Sequence, residues 1–138
     1  MPALNGMARN LILSLLAVCA LVPVERVLAQ DAQKKVLVVY STRRDSILAT
    51  VGDRELSRLL DQGLNRRLDY YTEYIDFSRF PDVDYERAFR DFLRQKYGDL
   101  RFDLVVAIED ASVEFVRHHR SELFPDTPVV FFTLDQVA

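Results

Sequence analysis

Residues 34–41 read KKVLVVYS and residues 102–108 read FDLVVAI. Each is a short apolar run rich in β-branched residues, with polar neighbours on either side. A strand with one wet face alternates apolar and polar residues. A run that is apolar at odd and even positions alike is a strand covered on both faces. Residues 129–133 (VVFFT) have the same character, and residues 68–76 (LDYYTEYID) complete a set of four. The last of these interleaves polar residues among Tyr, Thr and Ile, which predicts a more exposed strand at a sheet edge.

Helical spacing fills the intervals between these runs. Ile47, Leu48, Val51, Leu56, Leu59 and Leu60 recur along one helix that follows the polar loop 41–46 and stops near Gly63. After a Pro81-containing connection at 77–84, Tyr85, Phe89, Phe92, Leu93 and Tyr97 mark one face of a second helix, closed by Gly98. Val113, Phe115, Val116 and Leu123 belong to a third helix, with Asp110 or Ser112 placed to cap its N-terminus, and FPDTP (124–128) turns the chain into the fourth strand. Short apolar strands alternating with amphipathic helices specify an α/β fold with a doubly wound parallel sheet. Right-handed crossovers make strand order 2-1-3-4 the expected topology.

That order places the first helix on one face and the other two on the opposite face. The third and fourth strands nevertheless expect cover on both sides. Leaving such side chains in water forfeits about 1.5–3 kcal/mol each, a large share of the roughly 5–15 kcal/mol that holds a domain together. The expectation is therefore that a further element beyond Ala138, such as a second lobe, or a homodimer partner covers the first helix's face.

The N-terminus has the layout of an export signal. Arg9 precedes an apolar stretch of 13 residues from Leu11 to Pro23, broken by Ser14, and Val27-Leu28-Ala29 precedes Gln30. That stretch is shorter than the ~20 residues a spanning helix needs, so cleavage after Ala29 is expected, with an uncleaved membrane anchor as the alternative. Cys19 follows Leu16-Ala17-Val18, where a branched Val stands in place of the small residue a lipoprotein signal wants. Residues 30–138 would then form one domain, exported to the periplasm.

Composition narrows the function. Removing Arg9, Glu25 and Arg26 with the leader leaves 16 basic against 20 acidic residues. This is not the basic balance of a nucleic-acid-binding domain. No cysteine remains after the leader, so the domain rests on an ordinary core without disulfides or thiol chemistry. His118 and His119 diverge by about 100° on a helix and do not chelate a metal by themselves; they read as solvated residues near a helix C-terminus. No cofactor or metal is expected.

Ligands of open parallel sheets bind beyond the carboxyl ends of the strands. Here those ends are residues 41–46, 76–79, 109–112 and 133–135. The first loop offers Ser41, Thr42, Arg43 and Arg44, hydroxyls and guanidinium groups suited to clamping a carboxylate or phosphate. The third offers Glu109 and Asp110, suited to an ammonium group or sugar hydroxyls. Three sharper assignments fail. A flavodoxin-like flavin loop needs a glycine that residues 40–46 lack. A phosphoacceptor receiver needs an acidic pair ending the first strand, which ends Val-Tyr-Ser. A phosphate-binding nucleotidase loop needs a Gly-rich run ending in Lys-Ser or Lys-Thr, and none exists.

The segments VLVVYSTRRDS (36–46), EYIDFSRF (73–80), FLRQKY (92–97), FDLVVAI (102–108) and ELFPDTPVVFF (122–132) together resemble the N-terminal lobe of periplasmic-binding-protein-like proteins related to ABC transporter substrate-binding proteins. The resemblance is closest to the version that serves as the extracytoplasmic sensor of bacterial histidine kinases. It implies a type I-like lobe that closes with a second lobe on a small ligand, without enzymatic activity, working with a membrane permease or a kinase module. By position it carries ligand contact onto Ser41, Thr42, Arg43, Glu109 and Asp110. The alternatives are a small exported enzyme using Glu109 or Asp110, and a truncated fragment without function.

Overall fold

The computed structural model describes residues 33–64, 67–77 and 79–133 of the 138-residue chain. The leader and its cleavage site, together with Leu134 and Asp135 of the fourth loop, lie outside the described residues. Among the described residues four strands, β1 (Lys34–Tyr40), β2 (Leu68–Tyr74), β3 (Leu104–Ile108) and β4 (Val129–Phe132), alternate with three helices, α1 (Ile47–Gly63), α2 (Val83–Tyr97) and α3 (Asp110–Leu123). All strand pairs are parallel and the order is β2-β1-β3-β4, as the sequence predicts.

The doubly apolar strand is β1, whose residues from Val36 to Tyr40 are all buried. Its odd and even positions feed two separate cores. Leu37 and Val39 join Val105 and Ala107 under α2 and α3, which contribute Leu93, Tyr97, Val113, Phe115 and Val116. Val36, Val38 and Tyr40 join Val106 and Ile108 under α1, which contributes Ala49 with Leu48, Leu56 and Leu60. β2 is the half-exposed edge that its polar residues predict. Its one buried position, Glu73, accepts from the Tyr97 hydroxyl at 2.5 Å and from Lys96 Nζ at 2.6 Å, so the carboxylate is paired as burial demands.

Several local expectations are corrected. β2 ends at Tyr74 and β3 begins at Leu104, with Phe102 buried just ahead of the strand. Ile47, Val51 and Leu59 of α1 and Phe92 of α2 are exposed although they share the helical spacing of the core positions. These two helices carry a wider apolar stripe than the sheet covers. His119 is not solvated: its ring packs on Phe115 with centroids 4.9 Å apart, and its Nε2 lies 2.9 Å from Glu86 of α2. Neither Asp110 nor Ser112 caps α3. The cap position is Glu109, without a side-chain hydrogen bond to the helix, and the Ser112 hydroxyl donates back to the carbonyls of Ile108 and Glu109.

The fourth strand is covered unevenly. On the α3 side Arg117 lies over the Phe131 ring at 5.4 Å. On the α1 side Val130 and Phe132 remain about half exposed and border an apolar groove of about 440 Å³. The uncovered face expected from the strand pattern is therefore present in the described residues.

Candidate functional site

The carboxyl ends of the strands are stitched into one rim. Ile75 N donates to Tyr40 O at 2.7 Å, Ser41 N to Ile108 O at 3.4 Å, and Glu109 N to Phe132 O at 2.9 Å. The register that pairs Tyr40 with Ile108 places the next residues, Ser41 and Glu109, opposite each other. The chain leaves β1 toward β2 and leaves β3 toward β4. The boundary between β1 and β3 is therefore the topological switch point, where ligand crevices form in open sheets.

Two of the sequence-predicted residues meet at that boundary. The Ser41 hydroxyl, 7% exposed, donates to Glu109 Oε2 at 3.0 Å. Glu109 itself has φ 74° and ψ 154°. That is a region almost reserved for glycine, and it costs a residue with a Cβ about 1–3 kcal/mol. Its neighbours hold it there from both sides: the amide is tied to Phe132 O, and the carbonyl accepts from Val113 N at 3.0 Å and from the Ser112 hydroxyl at 2.9 Å. The second positive-φ residue, Asp126 at 62°, lies in the turn before β4, in the left-handed region that Asp tolerates.

The other predicted residues surround this pair without joining it. Thr42 is half-buried; Arg43, Arg44 and Asp110 are exposed. Arg43 Nε lies 3.3 Å from Asp45, and the Arg43 carbonyl accepts from Ser46 N at 3.0 Å, closing the loop. Ser46 then caps α1 by accepting from Ala49 N at 3.1 Å. The Arg44 guanidinium lies near enough to Tyr74 to favour its phenolate, although burial and Asp53 hold the Tyr74 hydroxyl protonated more strongly. The loop after β2 adds a pair absent from the predicted site. Asp76 is buried and accepts from the exposed Arg79, whose guanidinium is held protonated more firmly by that bond, with Asp45 and Tyr85 adding smaller contributions. Only the position of these residues at a strand end could have signalled them.

The rim thus carries Arg43, Arg44 and Arg79 beside Asp45, Asp76, Glu109 and Asp110. Such a mixed arrangement can bind a small ligand carrying both donors and acceptors. His118 and His119 sit in the third turn of α3, and His119 is engaged with Glu86 of α2. The described residues hold no cluster of three or more His, Cys, Asp or Glu placed to bind a metal ion, and no helix among them is long and apolar enough to cross a membrane. Compared with protein-family models, curated proteins and solved structures, the chain matches none of them.

Proposed function

We propose that the chain is a small-molecule binding module, the N-terminal lobe of an exported solute-binding or sensor domain, and that its ligand sits on the rim at the boundary between β1 and β3. The observation that carries this reading is Glu109. A strained backbone that its neighbours over-determine, with its carboxylate bridging to Ser41 across the switch point, fits a preorganised binding position better than a plain helix start. The resemblance to periplasmic-binding-protein-like lobes supports the same assignment. It makes an ABC transporter substrate-binding protein or the extracytoplasmic sensor domain of a histidine kinase the two settings for the module, with export through the N-terminal signal.

In this reading Glu109 and Asp110 receive a cationic or hydroxyl-bearing part of the ligand, and Arg43 and Arg44 receive its anionic part. Binding proceeds without turnover. The test is a thermal-shift screen of the chain with amino acids, organic acids and sugars at millimolar concentration. A shift of a few degrees with one class, lost in Glu109→Gln and in the Arg43→Ala/Arg44→Ala double variant, supports the site. An unchanged shift in both variants moves the ligand elsewhere. Consumption of the ligand, abolished by Glu109→Gln with the fold intact, would replace the binding module with an enzyme.

A further inference from the structure

We propose that a cavity at the amino end of the sheet, between the last turns of α2 and α3, binds a small uncharged aromatic molecule bearing one hydroxyl, a phenol in chemical class. The cavity lies at the opposite end of the strands from the rim and is independent of the ligand assigned there. Tyr97 and Gly98 at the end of α2, Phe102 ahead of β3, and Phe124 and Thr127 in the turn before β4 line a space of about 170 Å³. An apolar protein cavity of about 150 Å³ holds a benzene ring. The space is therefore that of one ring with one substituent.

Its floor is aromatic. The Phe102 ring stands edge-on to Tyr97 with centroids 5.1 Å apart and to Phe124 at 6.4 Å, and all three residues are buried. Rings set at such angles offer faces and edges to a further ring. The Tyr97 hydroxyl is turned away to Glu73 and brings no polar group into the space.

Thr127 supplies the polar group. It is 7% exposed, and its backbone is engaged: its N donates to Phe124 O at 3.2 Å and its O accepts from the Arg120 guanidinium at 3.2 Å. Its hydroxyl has no hydrogen-bond partner among the described residues. The unpartnered hydroxyls of Tyr40 and Tyr70 are sealed from solvent; that of Thr127 is not, and the cavity that Thr127 lines is its opening. An unpaired hydroxyl in so buried a residue costs stability that a valine would not. A ligand hydroxyl can donate to it or accept from it.

Charge narrows the class. Of the charged residues lining the cavity, Arg94 is paired with Glu122 at 3.2 Å, and Arg101 shares an exposed loop with Asp99. The carboxyl ends of α2 and α3 both meet the cavity, and their partial negative charge opposes an anion. Neither sign of ligand charge has an unopposed partner, and an uncharged hydroxyl is what the lining matches.

Amide NMR titration of the full chain with phenol, toluene and benzoate tests this. Phenol should give saturating shifts at Gly98, Leu100, Phe102 and Thr127 at low-millimolar concentration, since so small a ligand supports little more affinity. Toluene, alike in shape but without the hydroxyl, should bind several-fold more weakly, and so should benzoate. Thr127→Val should abolish the advantage of phenol over toluene while leaving the melting temperature unchanged or raised. Shifts that do not saturate or that fall outside the cavity, equal binding of phenol and toluene, or a preference for benzoate would overturn the proposal. So would an undiminished phenol advantage in Thr127→Val, or a variant that melts well below the natural chain, because the hydroxyl would then be holding the fold.

Discussion

The two faces of the sheet are built from the same strands yet differ in kind. Among the described residues the buried cluster under α2 and α3 has twelve members, and its aromatic rings interlock: Phe115 contacts Phe77 and Phe89, and Phe102 contacts Tyr71, Tyr97 and Phe124. Under α1 the cluster has six and stops where the open groove begins. Two helices seal a four-stranded sheet; one helix seals half of it. The better-sealed core therefore lies on the α2–α3 face, and uncovered surface is found on the α1 face and along the rim.

The largest test of that contrast is a pair of truncations. Phe115→Ala removes a side chain 2% exposed and should cost about 3–5 kcal/mol in urea unfolding, as buried aromatic truncations do. Val130→Ala, at 51% exposed, should change stability by less than about 0.5 kcal/mol. Comparable losses would mean that β4 is as well packed as the centre of the α2–α3 core and would end the distinction between faces.

The rim offers the next largest effect, from backbone strain. At an ordinary helical or extended position glycine is less stable than alanine by roughly 0.5–1 kcal/mol. At Glu109 the order should invert. Glu109→Ala and Glu109→Gly both lose the bond from Ser41, but only glycine accepts φ 74° without strain. Glu109→Gly should therefore be the more stable of the two by about 1–2 kcal/mol. If alanine is equal or better, the strained peptide is not a feature of the folded chain, and the observation that supports the binding rim is lost.

The fold was legible because it depends on patterns that sequence carries directly. Apolar runs on odd and even positions identified β1 and β3 as buried on both faces, polar interleaving placed β2 at an edge, and the handedness of crossovers ordered the sheet. The unsealed face was legible for the same reason, since Val129 to Phe132 demands more cover than three helices provide. The site was legible only as a set of loops. That Ser41 meets Glu109 follows from strand register, which joins residues 68 positions apart and leaves no local trace. The φ of Glu109 was hidden because no glycine marks it, and the pairing of His119 with Glu86 because the partner lies 33 positions away on another helix. Exposed Ile47, Val51 and Leu59 share their spacing with buried residues; where the sheet stops beneath a helix is not written in that helix.

A subtler comparison lies beneath α1. The Tyr40 and Tyr70 hydroxyls are buried and near Asp53 and each other, yet neither sits at hydrogen-bonding geometry. Burial raises the pKa of both above that of a free tyrosine, so each stays neutral. A Cβ on Gly52 would stand 3.1 Å from the Tyr40 oxygen. Gly52→Ala gains about 1 kcal/mol of helix propensity against that crowding and should be nearly neutral in the natural background. In a Tyr40→Phe background the obstructing oxygen is gone, and the same substitution should stabilise by up to about 1 kcal/mol. Additive effects in a double-mutant cycle would show that α1 does not press on Tyr40, and that the α1-side core is looser than its buried residues indicate.

The smallest effect separates the faces from the sheet they share. At the amino end of the strands Asp103 accepts from Lys34 Nζ at 2.5 Å and from Lys35 N at 2.9 Å, fastening β3 to β1 independently of any helix. The bond from Lys34 is the main influence holding the Asp103 carboxyl below its ordinary value, with the Lys35 amide adding to it against a modest opposing effect of burial. A depressed folded value means that the contribution is complete above the unfolded value of 3.8 and fades as pH falls through the lower folded one. Because both carboxylate and ammonium are more than a third exposed, solvent screening limits the effect to about 0.5 kcal/mol. Asp103→Asn should therefore lower stability by that amount at pH 7, and the gap between variant and natural chain should close in urea titrations carried well below the unfolded value of 3.8. Phe115→Ala should show no such convergence, since no titrating group is removed from the α2–α3 core. If the Asp103 gap persists unchanged into acid, the strand ends are held by the backbone bond from Asp103 N to Lys35 O, at 2.8 Å, and the carboxylate is a bystander.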